Sequence, residues 1–206
     1  MKITYVRPAV RAALSISKTI PPYSSRRLLA TAGAYKLPGP YNEKNLHYAQ
    51  QSPEREKLVQ ALDKLRTQLP VSVPKVINGR EHTGTSTQAH SKTIIPYEIA
   101  NTFAEYSPAT KEEVTAAIEL ALEAKQEWQD MPFIDRAAIF LRAAELVSGK
   151  YRYEIMAATM IGQGKNAWQA EIDAAAELAD FYRFNVAYAQ EIYEKQPTIH
   201  SPGQAG

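Results

Sequence analysis

Apolar positions first become periodic at Leu58, Ala61, Leu62 and Leu65, a helical stripe that opens behind Ser52-Pro53-Glu54-Arg55 and closes before Pro70. Ser52 is suited to the N-cap. Pro53 suits the first helical position, where its missing N–H costs no hydrogen bond. Upstream, Leu37-Pro38-Gly39-Pro40 reads as an extended arm, because each proline removes a donor and biases its predecessor away from helix. Downstream, Val73-Pro74-Lys75-Val76-Ile77 and the Ile94-Ile95 region have the look of short strands, and Asn78-Gly79 between them is a tight-turn signal. A hairpin joining those two runs is therefore expected, and Thr102 to Tyr106 offers a third strand.

Beyond Pro108 the pattern is helical throughout. Thr110-Lys111-Glu112-Glu113 forms a capping box, after which Val114, Ala117, Ile118, Ala121, Leu122 and Trp128 keep one face apolar up to Met131-Pro132. The next helix carries Ala137, Phe140, Leu141, Ala144 and Val147 and is expected to end in a left-handed cap at Gly149. Another runs from about Tyr151 to Ile161 and stops at Gly162-Gln163-Gly164. The longest spans about Ala167 to Lys195. In it Trp168, Ile172, Ala175, Ala179, Tyr182, Val186, Ala189 and Tyr193 alternate in steps of four and three, a seam for packing on other helices. A second stripe, Leu178, Phe181, Tyr188 and Ile192, runs beside the seam and calls for a cover on another side.

Composition narrows the classes. A 206-residue chain that is 45% hydrophobic and 22% charged is globular in character, and no apolar run reaches the eighteen or so residues of a membrane-spanning helix. There are no cysteines, which excludes disulfides, Cys-ligated metal and a thiolate nucleophile within this chain. Charge is uneven: residues 1–42 hold seven bases and no acid. Without residues 1–30, which carry six bases, 18 bases stand against 22 acids, and the net charge of +2 becomes −4. No nucleic-acid footprint remains. The acid-free, Arg- and Ser-rich start has the composition of a mitochondrial presequence, cleaved near Arg27-Leu28-Leu29-Ala30; the plainer alternative is a basic tail.

Most chemical motifs fail their own spacing. Gly162-Gln163-Gly164-Lys165 would be a phosphate loop only with Gly at Thr159 and Ser or Thr at Asn166, and a dinucleotide fingerprint only after a strand, where a helix is read. A glycine helix stop is the favoured reading. His47, His82, His90 and His200 lack metal-ligand spacing and read as surface or loop residues, so no metal site is expected. Glu171, Asp173, Glu177 and Asp180 complement the helix dipole and are read as a solvated face.

The run Met160-Ile161-Gly162-Gln163-Gly164-Lys165, with Gln169-Ala170-Glu171-Ile172-Asp173-Ala174-Ala175-Ala176-Glu177-Leu178 and Asp180-Phe181-Tyr182-Arg183-Phe184-Asn185, closely resembles the pyrroline-5-carboxylate dehydrogenase family of aldehyde dehydrogenases. Ser52 to Arg55 and Asp135 to Leu141 match it too. The likeness covers roughly Leu46 to Pro197, and the stretch from Gly162 to Asn185 separates this branch from general aldehyde dehydrogenases. It implies an α/β, aldehyde dehydrogenase-like fold, of which the part present is mainly α with a short β-hairpin and one further short strand. It also implies oxidation of L-glutamate γ-semialdehyde to glutamate with NAD, through a cysteine thiolate, an Asn and backbone oxyanion site and a water-activating glutamate. In the family those groups follow the matched region, so no catalytic or cofactor-binding residue is expected here, and no NAD site for this chain alone. Glu177 corresponds to an acidic residue lining the family's aldehyde pocket.

The resulting expectation is a presequence at 1–30, an arm, short helix and hairpin at 31–109, and at 110–206 the helical part of an incomplete NAD-binding region. The whole is a truncated N-terminal part of a dehydrogenase of the mitochondrial matrix. The alternative is a non-catalytic helical module that binds the full-length dehydrogenase through the long-helix seam; a third reading is an unrelated helical adaptor in the matrix. The partners in view are a small aldehyde in the complete enzyme, the chain itself and the full-length dehydrogenase.

Overall fold

In the computed structural model, residues 37–83 and 90–195 are described. The expected presequence, His200 and the tail from Thr198 to Gly206 lie outside them. Helix α1 spans Pro53–Thr67, with the Ser52 hydroxyl accepting from the Arg55 amide, 3.2 Å away, and its apolar stripe turned inward at Leu58. Strands β1 (Val71–Val73), β2 (Lys75–Ile77), β3 (Arg80–His82), β4 (Ser91–Ile95) and β5 (Glu98–Tyr106) follow. Helices α2 (Lys111–Asp130), α3 (Phe133–Ser148), α4 (Arg152–Gln163) and α5 (Ala167–Ala170) come next. A π-helical turn, Glu171–Ala176, then leads into α6 (Glu177–Glu194).

The strands depart from the expected pairing. The Asn78-Gly79 turn joins β2 to β3 in register Val76 opposite Glu81, while β4 pairs antiparallel with β5 across Pro96-Tyr97. The Ile94-Ile95 run is thus not the hairpin partner of 73–77. Asn78 and Gly79 both adopt positive φ, 51° and 69°, which makes the shortest connection the favoured one. The run at 73–77 is itself divided: Pro74 cannot donate to a ladder, so β1 joins a three-stranded sheet, parallel to β5 in the order β1-β5-β4, and β2 joins the hairpin.

The capping box at α2 forms as read, with the Glu113 amide donating to Thr110 Oγ1 at 3.2 Å and the Thr110 amide to Glu113 Oε2 at 2.8 Å. Nevertheless α2 buries none of its residues, and Ile118 and Leu122 are 57% and 64% exposed. The α3 terminus is a correction. Gly149 has φ −113° and ψ −95°, not a left-handed cap; a Cβ there would lie 2.9 Å from the Glu145 carbonyl oxygen, which explains glycine by close approach. Gly164 does take the left-handed cap, at φ 70°, and ends α4.

The core sits where α1 and the π-turn region close on α4: Leu58, Met156, Ala170 and Ala175 are buried together, flanked by Tyr48 and Tyr153. Helix α3 packs along α6, where Ala137, Ala144, Ala179 and Val186 are buried. The expected seam of the long helix is therefore buried in its middle, while Trp168 and Tyr193 at its ends are about half exposed.

Candidate functional site

The four carboxylates read as one solvated face separate in the structure. Glu171 is fully buried, whereas Asp173 and Glu177 are exposed. The solvated-face reading fails at Glu171 because the arm folds over it. The Leu46 amide donates to Glu171 Oε1 at 2.7 Å and the Tyr48 hydroxyl to Oε2 at 2.5 Å. The Arg152 guanidinium closes the other side through Nε, 3.3 Å from Oε2, and through Nη2 on Oε1. A buried carboxylate is tolerated only when paired and hydrogen-bonded, and here both conditions hold.

The network extends along the arm. Glu43 bridges two buried arginines, its Oε1 2.9 Å from Arg152 Nη1 and its Oε2 2.9 Å from Arg183 Nη1. The second contact lacks hydrogen-bond alignment and is coulombic. Asp180 accepts from the Glu43 amide at 2.6 Å and from the Asn42 side chain at 2.9 Å, and the Tyr41 ring lies 4.2 Å from the Arg183 guanidinium carbon. Arg152 also donates to the carbonyls of Ser148 and Lys44. Burial drives the Tyr48 hydroxyl well above its ordinary 10.0, and its bond to the Glu171 carboxylate adds to the rise. Burial by itself would lower Arg152, but hydrogen bonds to Glu171 and Glu43 hold it above its ordinary value. The cluster is thus a closed structural lock with Arg152 fully charged. Sequence reasoning missed it, since nothing local pairs residues 43–48 with 152, 171 and 183.

Glu177, the one residue assigned to a pocket from resemblance, opens α6 on the exposed side of the helix, and Phe181, Tyr188 and Ile192 continue that face at 58%, 53% and 62% exposure. Around the corner of α6, against α3, lies a cavity of about 410 Å³ lined by Trp128, Phe140, Tyr182 and Tyr193 with Arg136 and Asn185 as its polar members. Arg136 donates to the Tyr193 hydroxyl at 2.7 Å. His47 is exposed and stacked on Trp168, 5.8 Å between ring centres; His82 and His90 are exposed as read. No cluster of three His, Asp or Glu residues able to hold a metal occurs among the described residues. Gly162 and Gln163 lie in the last turn of α4 and Gly164 ends it, so the run does not form the strand-to-helix cradle that a dinucleotide needs. No described helix is long and apolar enough to cross a membrane.

A helical layer, a three-stranded sheet with one parallel pair and a match to the Aldehyde dehydrogenase family over residues 83–205 place the chain in a definite class: it belongs to the aldehyde dehydrogenase family, and its fold is aldehyde dehydrogenase-like. Within that family it is similar to delta-1-pyrroline-5-carboxylate dehydrogenases. It is 51% identical over 179 residues to the mitochondrial delta-1-pyrroline-5-carboxylate dehydrogenase of Emericella nidulans, covering 87% of this chain and 31% of that protein. Against the mitochondrial enzyme of the same name from Homo sapiens it is 46% identical over 161 residues, 78% of this chain and 28% of the other. The crystal structure of the delta-pyrroline-5-carboxylate dehydrogenase of Mycobacterium tuberculosis bound with NAD superposes with a TM-score of 0.75 at 44% identity, over 82% of this chain and 31% of that one. The chain spans about a third of the length of the curated relatives it matches.

Proposed function

We propose that the chain supplies the N-terminal portion of an NAD-dependent dehydrogenase that oxidises L-glutamate γ-semialdehyde, formed from pyrroline-5-carboxylate, to glutamate in proline catabolism. The observation that carries this reading is the 51% identity to a mitochondrial delta-1-pyrroline-5-carboxylate dehydrogenase across 87% of the chain. Residues 1–30 act as the mitochondrial presequence, 31–109 as the arm with its short helix and hairpin, and 110–206 as the helical part of an incomplete NAD-binding region, with the matrix as destination. Support for the address comes from the acid-free, basic start and from relatives named as mitochondrial. Glu177 contributes to the aldehyde pocket as a binding group for the polar end of the substrate, and its exposed position at the start of α6 leaves it free to do so. NAD accepts the hydride when bound, and residues beyond this segment hold it. The chain itself provides no cysteine for the thiolate attack. The exposed face of α6 is then a contact surface, toward a full-length dehydrogenase or another copy of the chain.

The test is a chimera in which this chain replaces the aligned 179 residues of the Emericella nidulans enzyme. NADH formation from the semialdehyde is expected to persist. Glu177→Ala in that chimera is expected to lower kcat/KM about tenfold or more, the loss of a hydrogen bond to a charged group worth about 1.5 kcal/mol, with little change in Tm. The 206-residue chain alone is expected to produce no NADH. An inactive chimera that is folded, or turnover by the chain alone above a heat-killed control, would overturn the proposal.

A further inference from the structure

The π-turn between α5 and α6 is a rare local geometry, and such turns gather at functional sites. Here its closing donor is the residue of interest. The Glu177 amide bonds to the Ile172 carbonyl, five residues back, where an α-helix would use Asp173. The direction in which Glu177 leaves the helix is therefore set by whether this turn stays wide.

Both flanks are fixed independently. Upstream, Asn166 and Gln169 form a capping box and Ala170 is buried; downstream, Ala179, Arg183 and Val186 are buried in α6. A residue of slack between two pinned segments has to be absorbed in the turn. Ala174, Ala175 and Ala176 let it pack, and the first turn residue, Glu171, is the one whose side chain is clamped at both oxygens. Three of those clamps belong to elements remote in sequence: the Leu46 amide, the Tyr48 hydroxyl and Arg152. Glu171 itself keeps the helical register of α5, its amide bonding to the Ala167 carbonyl four residues back, so its clamped carboxylate anchors the upstream edge of the wide turn.

We infer that Glu171 is a positioning residue: its clamped carboxylate holds the π-turn open, fixes the direction of Glu177 and couples the arm at 41–48 to the pocket face of α6. The functional meaning of this coupling rests on the pocket role proposed for Glu177.

The absence of native cysteine makes the test direct on the full 206-residue chain. Nitroxide labels are placed at Glu177→Cys and Arg142→Cys, and in a control pair at Tyr188→Cys and Arg142→Cys, and inter-label distances are read by dipolar EPR. In the Glu171→Gln background the 177–142 distribution is expected to shift by about 1.5 Å or more, the rise of one helical residue, or to broaden by as much, while the 188–142 distribution stays unchanged. Tyr48→Phe, which removes one donor to the same carboxylate at nearly constant volume, is expected to move the first pair in the same direction by less. An unchanged 177–142 distribution in both variants overturns the inference, and so does equal broadening of both pairs, which would mark Glu171 as merely structural. The readout is geometric, so a kinetically silent Glu177→Ala would remove the pocket role and leave this coupling standing.

Discussion

At the scale of single residues, Arg152 is the most exposed to loss. Its side chain is 4% accessible and compensates two carboxylates, Glu171 and Glu43, of which only Glu43 has a second cationic partner, Arg183, among the described residues. Removing one member of a buried ion pair leaves the other charge uncompensated and typically costs about 3–5 kcal/mol. Arg152→Met is expected to lower the urea midpoint by that free energy divided by an unchanged m-value. An effect below 1 kcal/mol would mean that water reaches the cluster. Tyr48 yields a pH dependence with a definite sign. Its folded pKa is raised, so the neutral phenol contributes stability that is fully present below the unfolded value of 10.0 and is lost as pH rises beyond it. Tyr48→Phe is expected to destabilise the protein at pH 7 but to flatten its loss of stability between pH 9 and 11 in denaturant titrations, a window on the order of one unit either side of that value.

Among the elements, α2 depends most on local chemistry, because it buries no residue and therefore gains little from packing. Its N-terminus carries the capping box, and Lys75 from β2 reaches Glu113 Oε2 at 2.7 Å. Thr110→Ala is expected to cost about 1 kcal/mol, visible as increased amide exchange in the first turns of α2 and little elsewhere. The hydrogen bond from Lys75, with the Thr110 amide, holds Glu113 below its ordinary 4.5. Stability from that carboxylate is hence present above 4.5 and lost as pH falls through the depressed value. Glu113→Gln is expected to remove this acid-limb slope; an identical slope in wild type and variant would assign acid sensitivity to other groups.

For the whole molecule, the exposed apolar surface is the distinguishing quantity. Ile118 and Leu122 on α2 and Phe181 and Ile192 on α6 are each more than half exposed, more than isolated surface apolar residues need. Their helical spacing makes them stripes. The purified chain is expected to bind a hydrophobic dye strongly, and Leu122→Glu with Phe181→Glu is expected to reduce that binding while shifting stability by only about 0.5 kcal/mol per site. Weak dye fluorescence from the unmodified chain would mean that these faces cover one another in solution.

Much of this architecture is local in origin and was legible before any coordinates. The Ser52-Pro53 start, the Thr110–Glu113 box, the Gly164 stop and the period of α3 and α4 are governed by contacts within four residues, and they occur where the sequence puts them. The likeness of residues 160–185 to one dehydrogenase branch was equally present in the sequence, and the family follows from it. Three features belong to the tertiary structure alone. The pairing of β4 with β5 instead of with the 73–77 run depends on which strand is adjacent once Pro74 has split that run. The π-turn lies between two packed flanks, and an apolar period that continues unbroken through Ile172 and Ala175 cannot disclose it. The burial of Glu171, read as solvated from its helix position, required the arm to return across more than 120 residues of chain, since an ion pair is recognised by proximity in space and leaves no spacing rule in sequence.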